Sequence, residues 1–206
     1  MNETTATPAA TRTVLHVGCG PYNPNKLHPA FRKEGWREVR VDINPAVKPD
    51  IVASMLAMPM VAAESVDGVW SSHNIEHLYA HEVPVALREF ARVLKPGGAV
   101  LLTMPDLQAV AELIVADKLD EPAYVSPAGP IAPLDILYGH RPQIAMGNVF
   151  MAHRTGFTAK TLTQALTDAG FAQIKVERGK NFDLWAVGSS ISGRISTMFT
   201  VRARKN

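Results

Sequence analysis

Cysteine is nearly missing from this chain of 206 residues: Cys19 is the single one, which excludes an intrachain disulfide and a cluster of thiolate metal ligands. Neither charge sign is in excess, since 21 Lys and Arg face 19 Asp and Glu for a formal charge of +2. So small a balance gives no nucleic-acid or membrane surface. No apolar run reaches the ~18 residues of a membrane span, and the opening residues lack the basic-then-apolar layout of a signal peptide. The expectation is a cytoplasmic protein whose partner is a small molecule, with no nucleic acid and no membrane; composition leaves the oligomeric state open.

What is present is ordinary globular material, 47% hydrophobic and 19% charged, enough for one packed core. Residues 1–11, rich in Thr and Ala, show no apolar period and are expected to form a mobile tail, leaving 12–206 as a single domain. Short apolar runs at 14–17, 39–41, 51–53, 68–71 and 99–104 suit strands buried on both faces. Between them, Val83, Leu87, Phe90 and Leu94 fall at helical intervals, which predicts a helix over 82–94 stopped by Lys95-Pro-Gly-Gly98. Asp106 and Thr158 read as caps of two further helices. Residues 171–178 alternate as a strand, and 182–187 and 198–203 are two more strand candidates. The helix after Gly20 is broken by Pro21, Pro24 and Pro29 and should begin late, with Pro29 in its first turn. Residues 120–156, interrupted by five prolines, predict an irregular cover.

Strands alternating with helices imply an α/β, doubly wound, mostly parallel sheet with helices on both faces, its ligand crevice beyond the carboxyl ends of the strands. The segment Thr13-Val-Leu-His-Val-Gly-Cys-Gly20 supplies a turn where bare backbone passes close to a ligand. Asp42, ending the second strand, follows at about the 20 residues that separate turn from ribose-binding acid in nucleotide folds. The turn lacks the third glycine of a nicotinamide fingerprint, because Asn23 stands there.

Four patches in order, Val14-Leu-His-Val-Gly-Cys-Gly20, Val41-Asp-Ile43, Ser71-Ser-His-Asn-Ile-Glu-His-Leu78 and residues 87–105, resemble the Rossmann-like S-adenosylmethionine-dependent methyltransferases, in the type 11 small-molecule branch. The resemblance spans residues 13–178. It implies a seven-stranded sheet with one antiparallel strand near the C-terminus and S-adenosylmethionine as cofactor. His16, Gly18, Cys19 and Gly20 would then face the methionine part, Asp42 and Ile43 the ribose, Ser54 and Met55 the adenine, and Ser72 and His73 the methyl end. Two positions depart from the pattern: His16 stands where an acid is common and Tyr22 where a third glycine is common. The missing acid removes a contact to the cofactor's amino group, which would fall to backbone carbonyls instead.

The activity implied is transfer of a methyl group to an oxygen, nitrogen or carbon atom of a small molecule. His73 and His77 are the candidate bases, because imidazole titrates near neutrality. Tyr22, Tyr138, His140, Arg141 and His153 are candidate substrate contacts on loops, Arg141 suiting an anionic group. No bound metal is expected. Two alternatives stay open: a module that binds S-adenosylmethionine without turnover, and a zinc hydrolase using His73, Glu76 and His77, which match a His-x-x-Glu-His pattern.

Overall fold

The computed structural model, which describes residues 11–191, turns the first apolar run into β1 (Arg12–Val17), buried from Thr13 onward. It is followed by β2 (Trp36–Asp42), β3 (Ile51–Val52), β4 (Val66–Ser72) and β5 (Leu94–Pro105). A small hairpin, β6 (Tyr124–Ser126) and β7 (Gly129–Ile131), precedes β8 (Phe171–Arg178) and β9 (Asp183–Ser190). Seven strands form one sheet in the order β3-β2-β1-β4-β5-β9-β8. All pair in parallel except β9, which runs antiparallel to both β5 and β8. Strand order reverses between β1 and β4, so the crevice of such a sheet lies where Val17 and Ser72 end. The strand candidate at 198–203 and the first ten residues lie outside the described residues.

One face of the sheet carries two amphipathic helices. Val83, Leu87 and Phe90 of α1 (Val83–Val93) are buried, as their spacing requires. Glu82 precedes this helix, and Leu94 already opens β5, so Lys95–Gly98 belongs to the strand rather than to a separate loop. Asp106 caps α2 (Leu107–Val115) by accepting from Gln108 N at 3.0 Å. Two short helices follow, α3 (Pro133–Tyr138) and α4 (Arg141–Ala145), and then Thr158 caps α5 (Ala159–Asp168). Leu162 and Leu166 of α5 join Leu87 and Phe90 over Leu15, Val17, Val69, Val100 and Leu102 in the main core.

The other face differs from expectation. Its apolar cluster, Val14, Leu27, Phe31, Trp70, Leu101 and Val187, contains no α-helical residue. The helix expected from Pro29 is a single 3-10 turn, Pro29–Phe31, in which Ala30 N donates to His28 Nδ1 at 3.2 Å. Pro21 and Pro24 lie before this turn and Pro29 opens it, so the prolines delay its start and do not set its end. Large rings fill the space in its place: Phe31 and Trp36 meet edge to face at 4.9 Å. A Cβ on Gly68 would stand 3.0 Å from the Phe31 ring, so the glycine lets that ring sit against the strand.

The segment 120–156 is also more regular than its prolines suggest. Pro133 and Pro142 stand in the first turns of α3 and α4, where a missing N–H is harmless. A third cluster, Val110, Ile131 and Ile136 with Tyr124 and Phe182 against it, fixes the segment to α2. Among the described residues no helix is long and apolar enough to cross a membrane.

Candidate active site

Beyond β1 the chain turns sharply because Gly18 and Gly20 adopt φ of +68° and +60°, a region costly to residues with a Cβ. At Gly18 there is a second reason: the Asn74 carboxamide occupies the place of a Cβ. Asn74 Nδ2 donates to Val17 O at 3.1 Å, Ser71 Oγ at 3.2 Å and Ser72 O at 2.8 Å, tying the end of β1 to the end of β4. Asp42 closes the turn from the other side. Its Oδ2 accepts from Gly20 N at 2.8 Å and its Oδ1 from Asn44 N at 2.9 Å. An ionised carboxylate has about four lone-pair sites, so further hydroxyl donors can still be met.

These groups border a cavity of ≈ 810 Å³ at the carboxyl ends of the strands, within the range of small-molecule sites. His16, Gly18, Gly20, Asp42, Ile43, Ser54, Met55, Ser72 and His73 all line it. Ile43, 55% exposed beside Asp42, offers a flat apolar ledge. Ser72 Oγ is tied to Thr103 Oγ1 at 2.7 Å. Cys19 is the exception among the expected residues: it packs inward and does not line the cavity. Burial pushes its thiol pKa up, so it stays protonated.

His16, at the position of the missing acid, is itself buried, and its Nδ1 lies 2.6 Å from Glu38 Oε1. Burial lowers the His16 pKa and Glu38 opposes that shift. A carboxylate is therefore present, supplied by the neighbouring strand β2. Glu38 was missed; the available signal was that Glu38 and Arg40 share a face of β2 and that Arg40 stands opposite His16 in register.

The two candidate bases separate. His73 sits at φ +54° with Nδ1 3.3 Å from Glu76 Oε1 and Nε2 3.4 Å from Asp183 Oδ1. Burial opposes its charge, but the two carboxylates outweigh burial and push its pKa up to about 10. Both ring nitrogens face carboxylates, which favours the imidazolium and speaks against the assignment of His73 as a base. His77 differs: its Nδ1 lies 3.1 Å from Ala152 O and donates to that carbonyl, which leaves Nε2 as the nitrogen available to accept. It also stacks edge to face on His153 at 4.9 Å. Glu76 is wholly buried; burial pushes its pKa up, yet the His73 imidazolium beside it holds it below the ordinary carboxylate range.

The same geometry corrects the hydrolase reading. Residues Ile75–His77 form one 3-10 turn and His73 lies outside it, so the two histidines do not share a helical face. His73 instead bridges carboxylates.

The substrate candidates divide in the same way. Tyr22 is 70% exposed, lies under the Arg40 guanidinium at 5.5 Å, and does not line the main cavity. Tyr138 is 62% exposed and does not line the main cavity either. Arg141 is committed elsewhere: Nε is 2.9 Å from Asp135 Oδ1 and Nη1 3.0 Å from Asp120 Oδ1. It staples α4 to the segments before it and is not free for an anionic substrate. His140 and His153 do line a smaller cavity of ≈ 190 Å³ beside the main one. Burial lowers the pKa of His153, which keeps it neutral.

Two rings that spacing alone did not single out wall the main cavity. Trp70 of β4 and Trp185 of β9 stack at 6.0 Å, and His28 lies 5.3 Å and 5.6 Å from them. Burial, then Arg32, lowers the His28 pKa to about 4, so this wall carries no charge. From the cover, Phe150, Met151 and Arg154 reach the same cavity.

Sheet order, reversal point and cleft together define the Rossmann-like, class I methyltransferase fold. Residues 15–102 match the family model described as a methyltransferase domain. Solved structures agree on the fold. A protein of Methanosarcina mazei described as a SAM-dependent methyltransferase is 16% identical, covers 88% of this chain and 93% of its own, and has a TM-score of 0.57. One of Archaeoglobus fulgidus, described likewise, is 16% identical over 86% of both chains with a TM-score of 0.55. One of Thermotoga maritima, described as a possible histamine N-methyltransferase, is 17% identical over 87% of this chain and 82% of its own, with a TM-score of 0.53. No curated protein matches the chain.

Proposed function

We propose that the protein is a methyltransferase that takes S-adenosylmethionine as donor and methylates an oxygen, nitrogen or carbon atom of a small molecule. One observation carries this reading: the carboxylate of Asp42 closes a glycine turn at the mouth of a cavity large enough for a nucleoside. The residues fit the cofactor. Asp42 retains acceptor sites for ribose hydroxyls, Ile43 and Met55 offer apolar contact to a base, and Gly18 and Gly20 line the cavity. His16, backed by Glu38, stands toward the methionine end.

S-adenosylmethionine supplies a methyl group already activated by a positive sulfur. What the chain adds is position and exclusion of water. Trp70, Trp185 and His28 form an uncharged wall for an apolar or aromatic acceptor, and Phe150 and Met151 close over it from the cover. His73, as a cation held between Asp183 and Glu76, orders the floor of the cavity. Proton removal, where the acceptor needs it, falls to the His77 side of the site and not to His73.

Calorimetry of the full chain with S-adenosylmethionine and with its demethylated product tests the reading. Binding of both is expected, with Asp42→Ala weakening each by about tenfold to a hundredfold, the loss of one or two hydrogen bonds to a charged group. A wild-type protein that binds neither refutes it. Binding without turnover across acceptor panels would favour the non-catalytic module.

A further inference from the structure

Glu76, His77 and His153 converge where methyl transfer as described leaves them with no shared task. A carboxylate oxygen of Glu76 and one ring nitrogen from each histidine all lie within 4.8 Å of one another. Glu76 is 0% exposed and neither of its oxygens accepts a hydrogen bond. The His73 ring at 3.3 Å is an ion pair beyond good hydrogen-bond length. A buried carboxylate kept without a donor is costly unless something else meets it.

The imidazoles are prepared in a complementary way. His77 Nδ1 faces Ala152 O at 3.1 Å and His153 Nδ1 faces Ile136 O at 2.8 Å. A carbonyl only accepts, so each Nδ1 presents its proton there, and Nε2 is the nitrogen of each ring left to act as a ligand. Backbone carbonyls holding the far nitrogen are how metal-bound histidines are commonly oriented. Two imidazoles and one carboxylate, with a position left open, are also the donor set of catalytic transition-metal sites.

We propose that Glu76, His77 and His153 bind one divalent transition-metal cation of the class that favours imidazole with carboxylate, zinc or cobalt(II) being representative. A tetrahedral ion with bonds of about 2.0–2.1 Å sets its ligands roughly 3.4 Å apart, so the three side chains draw inward by about an ångström on loading. Glu76 and His77 come from the turn after β4, whereas His153 comes from the cover. The cation therefore pins the cover to the sheet. His77 borders both cavities, which puts the open coordination position within reach of an acceptor oxygen. His73 is no ligand, because its ring is spanned between Glu76 and Asp183.

The test uses the full chain, stripped with a chelator and titrated with zinc chloride by calorimetry, then with cobalt(II) followed by visible absorption, without any methyl donor. One ion per chain and a d–d band of low-coordinate cobalt(II) are expected. His153→Ala and Glu76→Gln should each weaken binding about tenfold or more, while exposed His81→Ala should leave it unchanged. Circular dichroism checks that the variants fold; His153, half-buried on the cover, keeps the test decisive if the buried Glu76 variant does not. Absence of stoichiometric binding, or binding that survives His153→Ala, overturns the site. Donor binding measured in chelator is read separately, so failure here leaves the methyltransferase reading standing.

Discussion

Replacing Gly18 with Ala should destabilise the protein through two separable costs. The first is backbone strain: an alanine at φ +68° costs about 1–2 kcal/mol. The second is steric, because the new methyl falls on the Asn74 carboxamide and must displace it. Asn74 Nδ2 has two protons shared among three acceptors, so displacement loses up to two full hydrogen bonds, about 1–3 kcal/mol. The total is about 2–5 kcal/mol. Asn74→Ala alone loses only the bonds, about 1–3 kcal/mol. In the double variant the bonds are already gone, so adding Gly18→Ala to Asn74→Ala should cost only the strain of about 1–2 kcal/mol. Urea unfolding of the four proteins measures this cycle. The reasoning is refuted by additive single effects, or by a Gly18→Ala cost under about 1 kcal/mol.

Phe90→Ala, at a wholly buried position of α1, should cost about 3–5 kcal/mol and lower Tm by roughly 6–20 °C in a thermal melt. Glu38→Ala should cost about 1–3 kcal/mol by leaving His16 without its 2.6 Å partner; unchanged urea stability would show that the pair contributes nothing. For Asp135, burial pushes the pKa up, but bonds from Arg141 and Ala132 N hold it below the ordinary 3.8. A depressed carboxylate gives stability that is complete above its unfolded value and lost as pH falls through the folded one. Asp135→Asn should therefore show a smaller loss in urea midpoint between about pH 5 and about pH 3 than the wild type does; equal losses would remove Asp135 as a source of acid sensitivity.

The parts of the fold legible in the sequence are those governed by near neighbours. The apolar runs became β1 to β5, the 3.6-residue stripe became α1, and Asp106 and Thr158 capped the helices assigned to them. Gly18, Gly20 and Asp42 stood out because a tight turn and a strand-ending carboxylate have local signatures. The prolines were only half informative: Pro21 and Pro24 kept the chain irregular after Gly20, whereas Pro29, Pro133 and Pro142 each opened a helical turn. A missing N–H has opposite effects inside a helix and at its first turn.

What tertiary structure alone decided is which distant groups meet. Asn74 lies 57 residues from the Val17 carbonyl it holds, and Glu38 lies 22 from His16. Sheet order and register bring these groups together, and neither is written in any short window. The same is true of charge: His73 reads as a base until Asp183, delivered by the antiparallel strand, faces its second nitrogen. Arg141 reads as free until Asp135 and Asp120 take it. Local sequence determines dihedral preference and which face is apolar, because those depend on adjacent atoms. Protonation and ligand contact depend on what long-range packing sets within a few ångströms.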